Sequence, residues 1–257
     1  MKELVPDKIR SGLTTEFIGQ EIVYYQVIGS TNEVAKELAR QGASEGTLVI
    51  AEEQTEGKGR RRRRWLAPPG SSLLMSIVLY PHLTSSQVPR LIMASSLAVA
   101  YAIEKTSSLS VHFKWPNDIL LRGKKAGGIL TETSISGETV DYVVVGIGLN
   151  VNLDVGQIPG IADTATSLCA ELGRPVSRLV LLQALLESME REYRLLQRGE
   201  STGDRWAARL YVLGQEVQVT TPWGQESGRA EGVDADGALI LRRDDGTQAY
   251  ITVGDVE

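Results

Sequence analysis

The sequence predicts an α+β (α/β) main domain on a mixed β-sheet over residues 1–211, with a small β-barrel appended over residues 212–257. Three observations point there. Apolar runs of strand length alternate with helical patterns as far as Tyr211. The texture then changes to four short strands separated by Trp223-Gly224, Asp236-Gly237 and Asp245-Gly246. A chain of 257 residues, 42% hydrophobic and 23% charged, can bury one large core and a small one.

In order, residues 4–12 read as a short helix with Pro6 near its first turn. Residues 21–27 read as a strand. Ser30-Thr31-Asn32-Glu33 supplies N-cap candidates and an acid in the first turn of a helix that runs to Arg40, and Gly42 stops it. The apolar runs 47–51 and 72–79 read as buried strands. A long amphipathic helix spans 87–105, then a short strand 111–115 ends at Pro116. Residues 119–121 form another short strand before a turn at Gly123. Two long strands, 127–134 and 139–152, are joined through Ser136-Gly137. Residues 153–165, rich in Gly, Pro and Asp, read as a loop. Leucines at helical spacing predict a helix over 177–198, and a second follows over 204–211. The tail strands are 215–219, 228–233, 238–241 and 249–253.

Composition excludes several classes. The net charge of −5 argues against a protein built to coat nucleic acid. Cys169 is the only cysteine, so neither an intrachain disulfide nor a Cys-x-x-Cys motif can form. His82 and His112 stand alone, without metal-ligand spacing. The N-terminal residues lack a signal h-region, and the apolar stretch 91–103 is too short to span a bilayer, so a cytoplasmic protein is expected.

Against this acidic background, Glu53–Trp65 stands out as Glu-Gln-Thr-Glu-Gly-Lys-Gly-Arg-Arg-Arg-Arg-Arg-Trp between two core strands. So many cations in one loop repel each other unless an anion fills it. Gly57 and Gly59 permit close backbone approach and positive φ, so amide N–H groups can join the side chains around a phosphate or carboxylate. The run also fits a solvated face or a nucleic-acid patch. It is not a Walker A loop, because no Lys-Ser or Lys-Thr follows the second glycine. Three further segments can line the same site. Lys114-Trp-Pro-Asn-Asp118 presents an amide and a carboxylate at a turn. Lys124-Lys-Ala-Gly-Gly-Ile129 places a lysine before a glycine-opened strand. Gly146-Ile-Gly-Leu-Asn-Val-Asn152 carries glycines where another backbone or a ligand comes close.

Together and in this order, these segments resemble the biotin protein ligases. The likeness rests on Ser30-Thr31-Asn32, Gln54, Gly57-Lys58-Gly59-Arg60-Arg61 with Arg63 and Trp65, and Lys114–Asp118. It continues through Lys125-Ala126-Gly127-Gly128 and Gly146–Asn150, and in the tail through Asp236–Leu239 and Gly254-Asp255-Val256. It implies a catalytic domain of the biotin/lipoate ligase type and an SH3-like C-terminal domain. The residues ahead of the first strand are too few for the winged helix-turn-helix of regulatory members, so a monofunctional enzyme without DNA binding is expected.

The resemblance implies that biotin and ATP form biotinyl-5′-AMP, from which biotin passes to a lysine of a biotin carboxyl carrier protein, such as an acetyl-CoA carboxylase subunit. Mg²⁺ would accompany the ATP phosphates. Lys125, Arg60, Lys58 and Asp118 are the implied catalytic groups. Lys125 would meet the carboxylate and α-phosphate oxygens, with Arg60 and Lys58 closing from the loop. Asp118 would be a Mg²⁺ or reactive-lysine contact, or simply a turn-capping aspartate. Biotin would meet Ser30, Thr31, Asn32 and Gln54, with Gly57, Lys58, Gly59 and Arg60 above it and Lys125, Gly127 and Gly128 beside it. The adenylate would meet Arg60, Arg61, Arg63, Trp65, Asn117, Lys125 and Asn150. Family members often pair into homodimers. Residues 55–65 are expected to be mobile until ligand orders them.

Two departures stand out. Arg62 occupies a position that is usually glycine, and residues 155–165 lack the aromatic on which some members stack adenine. The rival readings are a lipoate–protein ligase, whose Arg-Arg-x-Ser-Gly-Gly-Gly pattern is missing here, and a nucleic-acid-binding module using Arg60–Arg64.

Overall fold

The apolar runs that follow Gly46 and Gly70 become neighbouring strands, β2 (Leu48–Gln54) and β3 (Ser72–Leu79), and β3 is buried along its whole length. A strand covered on both faces has no polar side to present, which explains its unbroken hydrophobic sequence. A computed structural model describes residues 4–158 and 160–257.

The main sheet has seven strands in the order β1-β2-β3-β7-β6-β5-β4. Besides β2 and β3, these are β1 (Ile22–Ile28), β4 (His112–Lys114), β5 (Asp118–Leu121), β6 (Lys124–Ser136) and β7 (Thr139–Asn150). Only β1 and β2 run parallel. A parallel pair needs a crossover, and α2 (Thr31–Arg40) supplies it. Ala35 and Ala39 of α2 pack on Val49, Val78 and Val144. The opposite face carries α3 (Pro89–Ser107) and α5 (Arg178–Gln197), which place Leu97 and Leu185 against Ile50, Ile77 and Val145 in the large core. Pairing of β7 with both β3 and β6 sets Gly148 opposite Leu74 and Gly128, bringing the glycine segments together at one end of the sheet.

A second, antiparallel sheet follows in the order β11-β10-β9-β8-β12, from β8 (Glu216–Thr221), β9 (Gly224–Val233), β10 (Leu239–Arg242), β11 (Gln248–Ile251) and β12 (Asp255–Val256). The expected barrel is thus a five-stranded sheet whose edges, β11 and β12, are not paired among the described residues. It docks beside β4. Trp115 Nε1, just past β4, donates to the Gly237 carbonyl at 3.0 Å.

Three local readings change. The helix expected over 204–211 is the shorter α6, Gly203–Ala207. An unexpected helix, α4 (Leu168–Leu172), starts where the Ser167 hydroxyl accepts from the Ala170 amide. The two-residue β12 falls beyond the last strand expected from sequence.

Candidate functional site

A cleft of about 780 Å³ lies between the basic loop, the β5–β6–β7 end of the main sheet and the edge of the C-terminal sheet. Most residues singled out from sequence line it. Of the candidate site residues, Gly57 and Gly127 are not among those that line it.

One end is a polar cluster built on the start of α2. The Thr31 backbone N–H and hydroxyl donate to Gln54 Oε1 at 2.7 and 3.0 Å. Ser76 Oγ, fully buried, lies 2.8 Å from Thr31 Oγ1 and donates to Asn32 Oδ1 at 2.6 Å. Asn32 Nδ2 in turn donates to Glu132 Oε2 at 2.8 Å. Ser30 is the N-cap by position, but its hydroxyl makes no capping bond, and it lines the cleft. These groups fix one another's rotamers, so any donor or acceptor turned to the cleft is preorganised.

On the facing wall, Lys125 Nζ lies 2.6 Å from Asp118 Oδ1. Asp118 is therefore paired with Lys125 of this chain. Register brings the two together, because Asp118 is opposite Gly128, three residues along β6 from Lys125. Lys125 is also held through its backbone. Its N–H donates to Thr164 O and its carbonyl accepts from Thr166 N, so the end of the 153–165 loop closes this side. Ile161 of that loop lines the cleft where no aromatic residue was available. Asn117 Nδ2 donates to Ile129 O at 2.7 Å, and Asn150 Nδ2 to Thr166 O at 3.0 Å. Asn150 Oδ1 is buried without a hydrogen-bond partner among the described residues. An acceptor so placed costs free energy unless something donates to it.

The basic loop crosses above as a hairpin closed by a Lys58–Arg64 bridge. Its glycines do not use positive φ, contrary to the expectation for Gly57 and Gly59; the left-handed residue is Arg61, at φ 52°. What Gly57 provides is space, since a Cβ there would stand 2.6 Å from the Trp65 carbonyl. The Trp65 ring lies on Gly148, where a Cβ would be 2.7 Å from Cε2, and Lys125 Nζ is 5.9 Å from its centroid. Close approach to Gly148 is thus made by the loop's own tryptophan.

The loop's cations also find protein partners. Lys58 pairs with Glu33 in the first turn of α2. Lys36 and then Lys58 hold the Glu33 carboxyl below the usual carboxylate range. Arg60 Nη1 lies 2.7 Å from Asp255 Oδ1 and 3.3 Å from Asn117 Oδ1, while Nη2 donates to Gly254 O at 2.9 Å. Arg61 Nε is 3.1 Å from Asp255 Oδ2, and its Nη2 donates to Thr220 O at 2.6 Å. Arg64 turns back to the Thr55 carbonyl, and the Arg63 side chain is 73% exposed, against 24% for Arg60 and 38% for Arg61. Burial pushes the Arg60 pKa down, and Asp255 opposes that shift. An anion does sit in the cation cluster, but it is Asp255 from the C-terminal sheet.

Sequence reasoning gave no site role to Ser76, Glu132 or Asp255, and marked Glu33 only as a helix-start acid. The Gly254-Asp255-Val256 motif was the available signal for Asp255. Among the described residues, no cluster of three His, Cys, Asp or Glu side chains is arranged to hold a metal. Of the carboxylates that line the cleft, Asp118 is engaged by Lys125 and Asp255 by Arg60 and Arg61.

The arrangement can grip an anionic centre from two sides, with Lys125 below and Arg60 above, beside a polar cluster suited to a neutral group. The fold is that of a biotin/lipoate-type ligase: the biotin/lipoate A/B protein ligase family matches residues 24–150. The biotin protein ligase C-terminal domain matches residues 212–257. The chain is 36% identical over 225 residues to the biotin–[acetyl-CoA-carboxylase] ligase of Paracoccus denitrificans, covering 85% of this chain and 93% of that one. It is likewise 36% identical over 258 residues to the bifunctional ligase/repressor BirA of Bacillus subtilis, covering 99% of this chain and 79% of that one. Among solved structures, the biotin protein ligase from Aquifex aeolicus in complex with biotin and ATP matches with a TM-score of 0.79 at 27% identity, over 93% of this chain and 98% of that one. The chain belongs to the biotin protein ligases.

Proposed function

We propose that the protein activates biotin with ATP and transfers it to a lysine of a biotin carboxyl carrier protein. A biotin carboxylate oxygen attacks the α-phosphorus, the bond to the bridging oxygen breaks, and pyrophosphate leaves. The acceptor amine then attacks the biotinyl carbonyl, forming an amide and releasing AMP. The first step brings two anions together, at a cost of about 1 kcal/mol per unit pair at 4 Å in water and about 4 at an effective dielectric of 20. Lys125 and Arg60 offset repulsion of that size and stabilise charge on the phosphorus oxygens. The observation that carries the reading is Lys125, braced by Asp118, facing the Arg60 side of the cleft beside the Thr31–Gln54 cluster.

The site assignments rest on the family likeness together with this placement. The polar cluster takes the biotin ureido ring, and the Gly127-Gly128 strand takes its chain. Asn117, Asn150 and Trp65, with Arg61 and Arg63, take the adenylate. Mg²⁺ enters with ATP, as part of the substrate. The chain divides into a catalytic domain, 1–211, and a C-terminal domain, 212–257, in keeping with its two sheets. No helix among the described residues is long and apolar enough to cross a membrane, in keeping with work in the cytoplasm. Family likeness supports a homodimer, which sedimentation would test.

ATP–pyrophosphate exchange with biotin, lipoate or neither tests the reading. Biotin-dependent exchange is expected; exchange with lipoate alone would assign the chain to lipoate ligation. A nucleic-acid module is not favoured, because Arg60, Arg61 and Arg64 are turned onto protein partners.

A further inference from the structure

The C-terminal sheet reaches the cleft through one carboxylate. We infer that Asp255 is a positioning residue for adenylation, acting through Arg60; this rests on the function proposed above. A guanidinium has five N–H donors in a rigid plane. In Arg60, both hydrogens of Nη1 are directed to Asp255 Oδ1 and Asn117 Oδ1, and one of Nη2 to Gly254 O. The end of the fork is therefore gripped by β12 and the residue before it. Nε–H and the second Nη2 hydrogen form the remaining edge, and no hydrogen-bond partner meets them among the described residues. That edge matches two oxygens of a phosphate or carboxylate. Arg60 lines the cleft, so the edge is available to an anion there.

A loop carrying Lys58 and five consecutive arginines would not hold one arginine in place unaided, because its cations repel one another. Asp255 counters that repulsion where it is strongest. Its second oxygen binds Arg61, and Arg63 stands 3.9 Å away. The carboxylate is 22% exposed, so water screens it only in part. Its place is fixed by pairing with Thr220, whose carbonyl anchors Arg61. The last strand thus sets the geometry of a group that the catalytic domain supplies.

Asp255→Asn, Asp255→Glu, Arg60→Ala and the double variant Asp255→Asn/Arg60→Ala would be compared in biotin-dependent ATP–pyrophosphate exchange, with thermal unfolding as a fold control. Asp255→Asn is expected to lower kcat about 10- to 100-fold, the range a misplaced group produces. Asp255→Glu should restore most of it. In the Arg60→Ala background, removing the Asp255 charge should change kcat by less than about twofold, since the two act as one unit. An unchanged kcat in Asp255→Asn, or fully additive losses, would overturn the inference while leaving the proposed function standing. A faster Asp255→Asn enzyme would overturn it too, by making the carboxylate a competitor of substrate. Wild-type protein without biotin-dependent exchange would remove the functional reading itself, and the inference with it.

Discussion

Lys125 Nζ and Asp118 Oδ1 meet at 2.6 Å across the β5–β6 pair, beside Gly128, which is the register partner of Asp118. Lys125→Ala is expected to lower biotin-dependent pyrophosphate exchange by about 10²- to 10³-fold, as removal of a transition-state donor does. Its circular dichroism should match the parent. Asp118→Asn keeps the lysine but loosens its aim, so a smaller loss, of about tenfold, is expected.

The basic loop should respond to ligand. Limited proteolysis is expected to cut within residues 55–65 of the free protein and to be suppressed by biotin with ATP. Equal cleavage with and without ligand would show that the loop does not close over the site.

Gly148→Ala would place a Cβ 2.7 Å from the Trp65 ring. Because Trp65 belongs to a loop, the ring is expected to lift and the sheet to stay, at a cost of about 1 kcal/mol. Faster proteolysis at residues 55–65 with a nearly unchanged Tm would be the signature.

Glu52 and Arg178 form a buried pair at 2.7 Å, each side chain 6% exposed. Glu52→Leu removes the carboxylate from a buried guanidinium that also donates to the Ser72 carbonyl, and should cost about 3 kcal/mol in denaturant unfolding. Glu52→Leu with Arg178→Met should recover more than half of that loss, since well-packed apolar side chains replace a buried ion pair at little net cost.

Acid should loosen the tie between the basic loop and α2. The Glu33 carboxyl is held below its ordinary value by Lys36 and Lys58. A group whose folded pKa is depressed stabilises above its unfolded pKa and loses that contribution as pH falls through the folded one. Glu33→Gln should therefore flatten the acid limb of stability below about pH 4.5, where unfolded carboxylates begin to protonate. Stability against pH for both proteins checks this.

The parts legible in the sequence were those written locally. Continuous apolar runs gave β2 and β3, and Ser30-Thr31-Asn32 gave the start of α2. The glycine and lysine segments gave most of the cleft, because their strands carry them to one end of the sheet. The electrostatics of the loop were not legible. A run of arginines announces that an anion is needed but not where it comes from, and Asp255 lies 195 residues further on. Glu33 was visible as a helix-start acid, yet its partner Lys58 is set by the loop's path. Five-residue α4 and two-residue β12 are too short for periodicity to reveal.

The four tryptophans divide by environment in a way that makes the protein its own optical probe. Trp115 and Trp206 are buried in the core, and Trp223, at a hairpin tip, is 81% exposed. Trp65 rides on the loop with its indole nitrogen enclosed above Gly148. A Trp223→Phe protein would emit from shielded indoles alone, one of which changes surroundings when the loop moves. Closure could then be followed in real time by fluorescence and acrylamide quenching, without any attached label.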